Sequence, residues 1–206
     1  MNRIYSEMSG DEIPWNLVDP PQLLVDFVEG GGARPCRAID LGCGVGNYSV
    51  WLASRGFDVT GVDISDAAIE LARTRAEGAG VSCEFRSADL IAGVDGFEGN
   101  YELAFEWEVL HHILPEDREA YLDNVSSLLV TGGKYLSVCF SEKSPAFGGT
   151  GKLRRTPIGT ELWFSSEEEL RSLFEPRFEI IELDTVTVPG KQAPHVAIRS
   201  LLSTSE

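Results

Sequence analysis

Short runs of continuous or alternating apolar residues take turns along the chain with longer stretches in which apolar residues recur every three or four positions. The first kind predicts strands and the second helices. Their alternation predicts a largely parallel sheet with helices packed on both faces. Cys36 to Leu41 reads as a first strand that ends at glycines. Val45 to Ser54 follows as a helix with Val50, Trp51 and Leu52 among its apolar residues and Gly56 in the stop position. Phe57 to Val62 is the second strand. Ser65 caps a helix over Asp66 to Glu77, where Ile69, Leu71, Ala72 and Ala76 form an imperfect apolar stripe ended by Gly78 and Gly80. Ser82 to Arg86 is a short third strand.

The second half continues the pattern. Tyr101 to Trp107 is the fourth strand, and Pro115 opens a helix whose Tyr121, Leu122, Val125, Leu128 and Leu129 repeat at helical spacing until Gly132 and Gly133. Lys134 to Ser141 is the fifth strand. Ser144 to Thr160 then holds four glycines and two prolines with little periodicity, a long loop of the kind that often carries function. Ser165 followed by Glu168 predicts a capping box for a helix running to about Phe174. Phe178 to Val188 and His195 to Leu202 are the last strands, and the short turn marked by Pro189 and Gly190 makes them an antiparallel hairpin. The fold class is α/β.

The chain has 206 residues, 43% apolar and 24% charged, which fits one globular domain over 1–206, with 1–30 as an N-terminal lid and helix region and 144–160 as a substrate-side loop. A net charge of −16 repels nucleic acids and anionic membrane surfaces. No apolar run approaches the ~20 residues of a membrane span, and Met1 to Trp15 carries acids where a signal peptide needs an apolar core. These features predict a cytoplasmic protein, monomer or homodimer, with a small-molecule substrate. Cys36, Cys43, Cys83 and Cys139 form no CxxC pair and no metal-ligand spacing, so reduced thiols and no metal are expected.

The segment Ala38-Ile-Asp-Leu-Gly-Cys-Gly-Val-Gly-Asn47 carries a strand into Gly42, Gly44 and Gly46 at the start of a helix. Glycines there allow close approach of a ligand to the backbone. Asp63 follows Gly42 by 21 residues, at the end of the second strand, where a carboxylate can accept from both hydroxyls of a ribose. A dinucleotide fingerprint requires glycine in the sixth position of the loop, so that the helix can sit against a pyrophosphate. Here that position is Asn47, and Asp40 sets a negative charge two residues before the first glycine. An ammonium group is attracted by that acid. Asp40, Asp63 and Asp89 suit an amino-acid end, a sugar and an adenine amino group respectively, the parts of S-adenosylmethionine.

Through these segments, with Val59-Thr-Gly-Val-Asp-Ile64, Ser87-Ala-Asp89 and Tyr101-Glu-Leu-Ala-Phe-Glu-Trp-Glu-Val-Leu-His-His-Ile113, the sequence resembles the class I S-adenosylmethionine-dependent methyltransferases. Leu128-Leu-Val-Thr-Gly-Gly-Lys-Tyr135 extends the likeness. A narrower likeness, to the thiopurine and tellurite-resistance branch, rests on Gly10-Asp-Glu-Ile-Pro-Trp-Asn16 and Ser165-Ser-Glu-Glu-Glu-Leu170. The resemblance implies a Rossmann-like three-layer sandwich with a mostly parallel seven-stranded sheet. It also implies that Asp40 and Gly42 lie near the methionine part, Asp63 at the ribose, Asp89 at the adenine and the backbone of Glu106 beside the sulfonium. Cys43, Gly44, Ile64 and Leu90 complete the expected cofactor contacts, and Pro14 and Trp15 are expected to form part of a lid.

Methyl transfer from a sulfonium is an in-line displacement in which positioning supplies on the order of 7 to 11 kcal/mol. A base is needed only where the nucleophile must lose a proton. Glu106, Glu108, His111 and His112 are the candidates, with Glu106 and His111 taken as catalytic because they stand at or just after the end of strand four. Tyr5 is a candidate to cover the methyl site, and Arg154 and Arg155, in a loop without acids, are candidates to dock an anionic substrate. The expected function is methyl transfer to a small nucleophile, preferably a thiol or another soft atom. A NAD-dependent oxidoreductase on a related fold and a non-enzymatic S-adenosylmethionine-binding module stand as alternatives.

Overall fold

The computed structural model describes residues 2–7, 13–148 and 150–205. Five strands, β1 (Arg37–Leu41), β2 (Asp58–Asp63), β3 (Glu84–Ser87), β4 (Tyr101–Trp107) and β5 (Leu129–Phe140), lie parallel in the order β3-β2-β1-β4-β5. The order reverses at β1, so the crossovers on its two sides leave a crevice at the carboxyl ends of β1 and β4. A small hairpin of β6 (Leu153–Arg155) and β7 (Glu161–Trp163) stands apart from this sheet. Next come β8 (Phe178–Val188) and β9 (His195–Thr204), with β9 antiparallel to both β5 and β8, completing the seven-stranded sheet. The expected mostly parallel architecture with a reversed final pair is what forms.

The helices are α1 (Asn2–Glu7), α2 (Gln22–Glu29), α3 (Asn47–Ala53), α4 (Asp66–Ala79), α5 (Arg118–Leu128) and α6 (Glu167–Phe174). Successive residues of β4 alternate between two apolar layers. Leu103 and Phe105 pack with Leu24 of α2 and Leu52 of α3, whereas Ala104 packs with Leu122 and Val125 of α5 and Phe174 of α6. A strand buried on both faces has no polar side to show, which is why these strands read as nearly continuous apolar runs. Each large side chain so buried contributes roughly 1.5–3 kcal/mol. On α4, Ser65 caps the helix through Oγ, which accepts from the Ala68 N–H at 3.2 Å.

Three boundaries differ from the sequence pattern. α5 starts at Arg118, because Leu114 to Asp117 closes a turn, with the Asp117 N–H donating to the Leu114 carbonyl. It ends at Leu128, ahead of Gly132 and Gly133, which fall within β5 where its register on β4 skips between Tyr101 and Leu103. The α6 cap is Ser166, whose Oγ accepts from the Glu169 N–H at 3.1 Å. Ser165 stays extended in a bridge to Ser141, so the cap falls one residue later than the sequence suggests, and the Glu169 carboxylate turns to Trp163, Arg118 and Lys152. Among the described residues no helix is long and apolar enough to cross a membrane.

Candidate active site

The turn after β1 is locked to the end of β2. The N–H groups of Gly42 and Cys43 both donate to the Val62 carbonyl, at 2.7 and 2.9 Å. The Gly44 N–H donates to Asp63 Oδ2 and the Ser65 N–H to Asp63 Oδ1, each at 2.9 Å. Asp63 is thereby fixed at the mouth of the crevice. Gly42 has φ 74°, and a Cβ there would lie 2.4 Å from Cγ2 of Val109, so glycine is required on both counts.

A pocket opens over this turn at the carboxyl ends of the strands. Tyr5, Trp15, Asp40, Gly42, Cys43 and Gly44 line it, as do Asp63, Ile64, Asp89 and Leu90, so the glycine loop and the acids singled out in the sequence come together. Among the described residues its walls hold four acids, Asp40, Asp63, Asp89 and Glu108, and no lysine or arginine. Asp40 is 2% exposed and accepts from Ser49 Oγ at 2.5 Å, and burial pushes its carboxyl up to about 7. Burial also raises Asp63, against the pull of the Ser65 and Gly44 N–H groups. Asp89 Oδ1 accepts from the Ile91 N–H at 2.9 Å, which fixes the turn after β3. Burial holds the Cys43 thiol well above its ordinary value, as expected of a packing residue rather than a nucleophile.

The N-terminal segment covers one side. Trp15 Nε1 donates to Tyr5 Oη at 2.9 Å, and the Trp15 ring stands edge-on to both Tyr5 and His112, each at 6.2 Å between centroids. Ile13 is fully buried, and its carbonyl accepts from Lys191 Nζ at 2.7 Å. Gly10, Asp11 and Glu12 of the expected N-terminal motif lie outside the described residues.

Four expected site residues stand elsewhere. Glu106 is fully buried below the pocket, where Oε2 accepts from the N–H groups of Val109 and Leu110 at 2.7 and 3.2 Å and Oε1 accepts from Ser137 Oγ. It shapes the turn after β4 and does not line the pocket, and burial raises its carboxyl to about 7. His111 is also buried: its ring stacks on Phe140 at 4.1 Å, Nδ1 accepts from the Phe140 N–H at 3.3 Å, and desolvation keeps it neutral. The imidazole that lines the pocket is His112, lowered by burial to about 4.

Arg154 is 5% exposed, with its guanidinium stacked 3.9 Å over Phe164 and donating to the carbonyls of Glu142, Ser144, Ala146 and Gly151. Four of its five N–H groups are committed to backbone carbonyls, and the residue does not line the pocket. Arg155 is exposed on β6, outside the pocket. The loop without acids is therefore a hairpin pinned from within by its own arginine. Asn47 and Tyr48 line the pocket and were missed as site residues. Their signal was available, since they open α3 directly after the glycine loop.

Fold and site together define a doubly wound α/β domain with a nucleoside-type crevice whose charge suits a cation. Residues 38–133 match the family described as a methyltransferase domain. The chain is similar to the ubiquinone biosynthesis O-methyltransferase of a Ruegeria species, 32% identical over 148 residues that cover 68% of this chain and 58% of that protein. It thus spans less than two thirds of that relative's length. Among solved structures it superposes with a TM-score of 0.84 and 21% identity, over 99% of this chain and 90% of the other, on one titled for the conversion of a disulfide bond into a thioacetal group during echinomycin biosynthesis. The Burkholderia thailandensis 1,6-didemethyltoxoflavin-N1-methyltransferase, solved with its substrate and S-adenosylhomocysteine bound, gives 0.73 and 20%, over 98% of this chain and 81% of that one. Over residues 38–133 the chain is thus similar to methyltransferase domains, and it shares the fold of solved methyltransferases.

Proposed function

We propose that the protein transfers the methyl group of S-adenosylmethionine to a small-molecule nucleophile. The observation that carries this reading is a nucleoside crevice lined, among the described residues, by four acids and no lysine or arginine. A dinucleotide would press its pyrophosphate against those carboxylates, which disfavours a NAD-dependent oxidoreductase. A sulfonium with an ammonium tail fits them. When bound, the cofactor supplies a methyl group on a positively charged sulfur, and that charge disappears on transfer. Asp63 is held by two backbone N–H groups in position to accept from the ribose, and Asp89 stands at the adenine end. Tyr5 and Trp15 shield the site from water with their rings.

His112 lines the pocket as a neutral imidazole with a value of about 4. So weak a base adds little to the deprotonation of an alcohol or phenol. The pocket's other candidate base is Glu108, raised by burial to about 8, so the preference for a thiol or another soft nucleophile, which ionises or attacks without help, rests on the likeness to the thiopurine and tellurite-resistance branch. A hydroxyl acceptor is the second reading, favoured by the similarity to a protein named as an O-methyltransferase. Calorimetry with S-adenosylhomocysteine and NAD tests the cofactor, and binding of NAD alone would overturn the proposal. Labelled S-adenosylmethionine offered with thiols, phenols, amines, halides, selenite and arsenite tests the acceptor. Transfer to sulfur or selenium supports the first reading and transfer only to phenols the second. Binding of S-adenosylhomocysteine without transfer to any acceptor would leave a binding module.

A further inference from the structure

The crevice runs along the carboxyl edge of the sheet from Asp89 after β3, past Asp63 on β2 and Asp40 on β1, to Glu108 after β4. That is three strand spacings, about 14 Å, comparable to an extended nucleoside with an amino-acid tail. With adenine at the Asp89 end and ribose at Asp63, the tail falls over β1 and β4. Asp40 is the acid that the sequence offers for the ammonium there, but it is almost wholly buried and already accepts from Ser49.

Glu108 is less buried as a residue and has an uncommitted carboxyl oxygen. It lines the pocket, and its Oε1 is inaccessible and has no hydrogen-bond partner among the described residues. Its backbone has φ 64°, the left-handed region that a side-chain-bearing residue seldom adopts. That conformation is over-determined from below: the Glu108 N–H donates to the Val138 carbonyl at 2.7 Å, and the next two N–H groups are held by Glu106. Strain maintained in this way collects at functional sites. Two other residues of the pocket repeat the signature, since Asn47 Oδ1 and Trp107 Nε1 are buried and without partners among the described residues. The Asn47 amide nitrogen is committed to Asn16 Oδ1 and the Leu17 carbonyl, which fixes its oxygen as the orphan acceptor. Acceptors suit an ammonium and a donor suits a carboxylate, so these groups match in kind the two ends of a zwitterionic tail.

We infer that Glu108, aided by Asn47, receives the α-ammonium of the cofactor, and that Asp40 acts only behind the loop. The inference rests on the proposed use of S-adenosylmethionine. Its test compares S-adenosylhomocysteine with methylthioadenosine, the same nucleoside thioether without the amino-acid tail, by calorimetry on the wild type and Glu108→Gln. The substitution keeps the shape of the side chain and removes its charge. It should weaken S-adenosylhomocysteine about 10- to 100-fold and leave methylthioadenosine unchanged, which also shows that the variant is folded. Equal affinity of wild type and variant for S-adenosylhomocysteine overturns the inference, as does an equal loss for both ligands. Binding of neither ligand by the wild type would instead sink the cofactor reading. A fall in kcat at unchanged S-adenosylhomocysteine affinity would make Glu108 a base toward the acceptor and equally overturn it.

Discussion

Replacing Glu108 by glycine should stabilise the protein while weakening its cofactor site. At φ 64° a residue with a Cβ carries about 1–2 kcal/mol of backbone strain that glycine relieves. Glycine gives back about 0.5–1 kcal/mol through the larger entropy of the unfolded chain. The same substitution removes a buried carboxyl oxygen without a partner, a liability of about 1–3 kcal/mol. The balance is a gain near 2 kcal/mol, or about 4–8 °C in Tm for a chain of this size. Thermal unfolding of cofactor-free protein at neutral pH measures it. Glu108→Gln retains the backbone strain and a buried polar end, so its Tm should lie between wild type and Glu108→Gly. A lower Tm for the glycine variant would refute the reasoning, because it would mean that Glu108 makes stabilising contacts in the free protein. Higher stability with lower S-adenosylhomocysteine affinity is the outcome expected if strain is maintained for binding.

Other perturbations separate scaffold from site. Asp63→Ala should lower S-adenosylhomocysteine affinity more than about tenfold, and unchanged calorimetric affinity would remove Asp63 from the ribose site. Arg118 is 1% exposed and donates to the carbonyls of Leu110, Ile113 and Trp163 and to Ser165 Oγ, with Glu169 Oε1 at 3.2 Å. Arg118→Met should cost about 3–5 kcal/mol in urea unfolding, and a loss below about 1 kcal/mol would contradict its structural role. Arg154→Ala should lower Tm without changing acceptor KM, and a raised KM at constant Tm would return it to the substrate site. Burial raises Asp40 and Glu106 to about 7 and Glu108 to about 8, from ordinary values of 3.8, 4.5 and 4.5. The folded state therefore holds these protons more tightly than the unfolded state does. Stability of the cofactor-free protein is greatest near the ordinary carboxylate range and falls as pH rises toward 8. A shift the size of Glu106's alone is worth roughly 3 kcal/mol, and denaturant unfolding at pH 5 and pH 8 should give the lower stability at pH 8.

Much of the fold was legible because its physics is local. β1, β2 and β4 are buried on both faces and read as largely apolar runs, Ser65 and Gly80 bracket α4, and the hairpin at Pro189 is too short for a parallel crossover. The glycine loop and Asp63 were legible for the same reason, since a tight turn and a strand end fix both. Errors arose where neighbours in sequence face different surroundings. His111 and His112 share a single 3-10 turn, Leu110–His112, yet one ring stacks on Phe140 of β5 and the other lines the pocket. Arg154 read as a free cation on a loop because the four carbonyls that hold it, on residues 142–151, converge only when that irregular segment folds around β6.

Glu106 shows how a residue outside the pocket lining still governs the site. Its carboxyl takes the two N–H groups that would otherwise be orphaned where β4 gives way to the 3-10 turn. With Val109 and Leu110 drawn inward to it and the Glu108 N–H tied to Val138 of β5, the chain between has no unstrained path, and Glu108 takes the left-handed conformation. The same turn holds Val109 against Gly42 so closely that no Cβ fits there. One buried acid thus sets the orientation of the residue assigned to the ammonium and the closeness of the glycine loop beneath it. It does so without touching the pocket. In the sequence Glu106 and Glu108 are two acids at the end of one strand, and only the backbone between them assigns one to the scaffold and the other to the ligand.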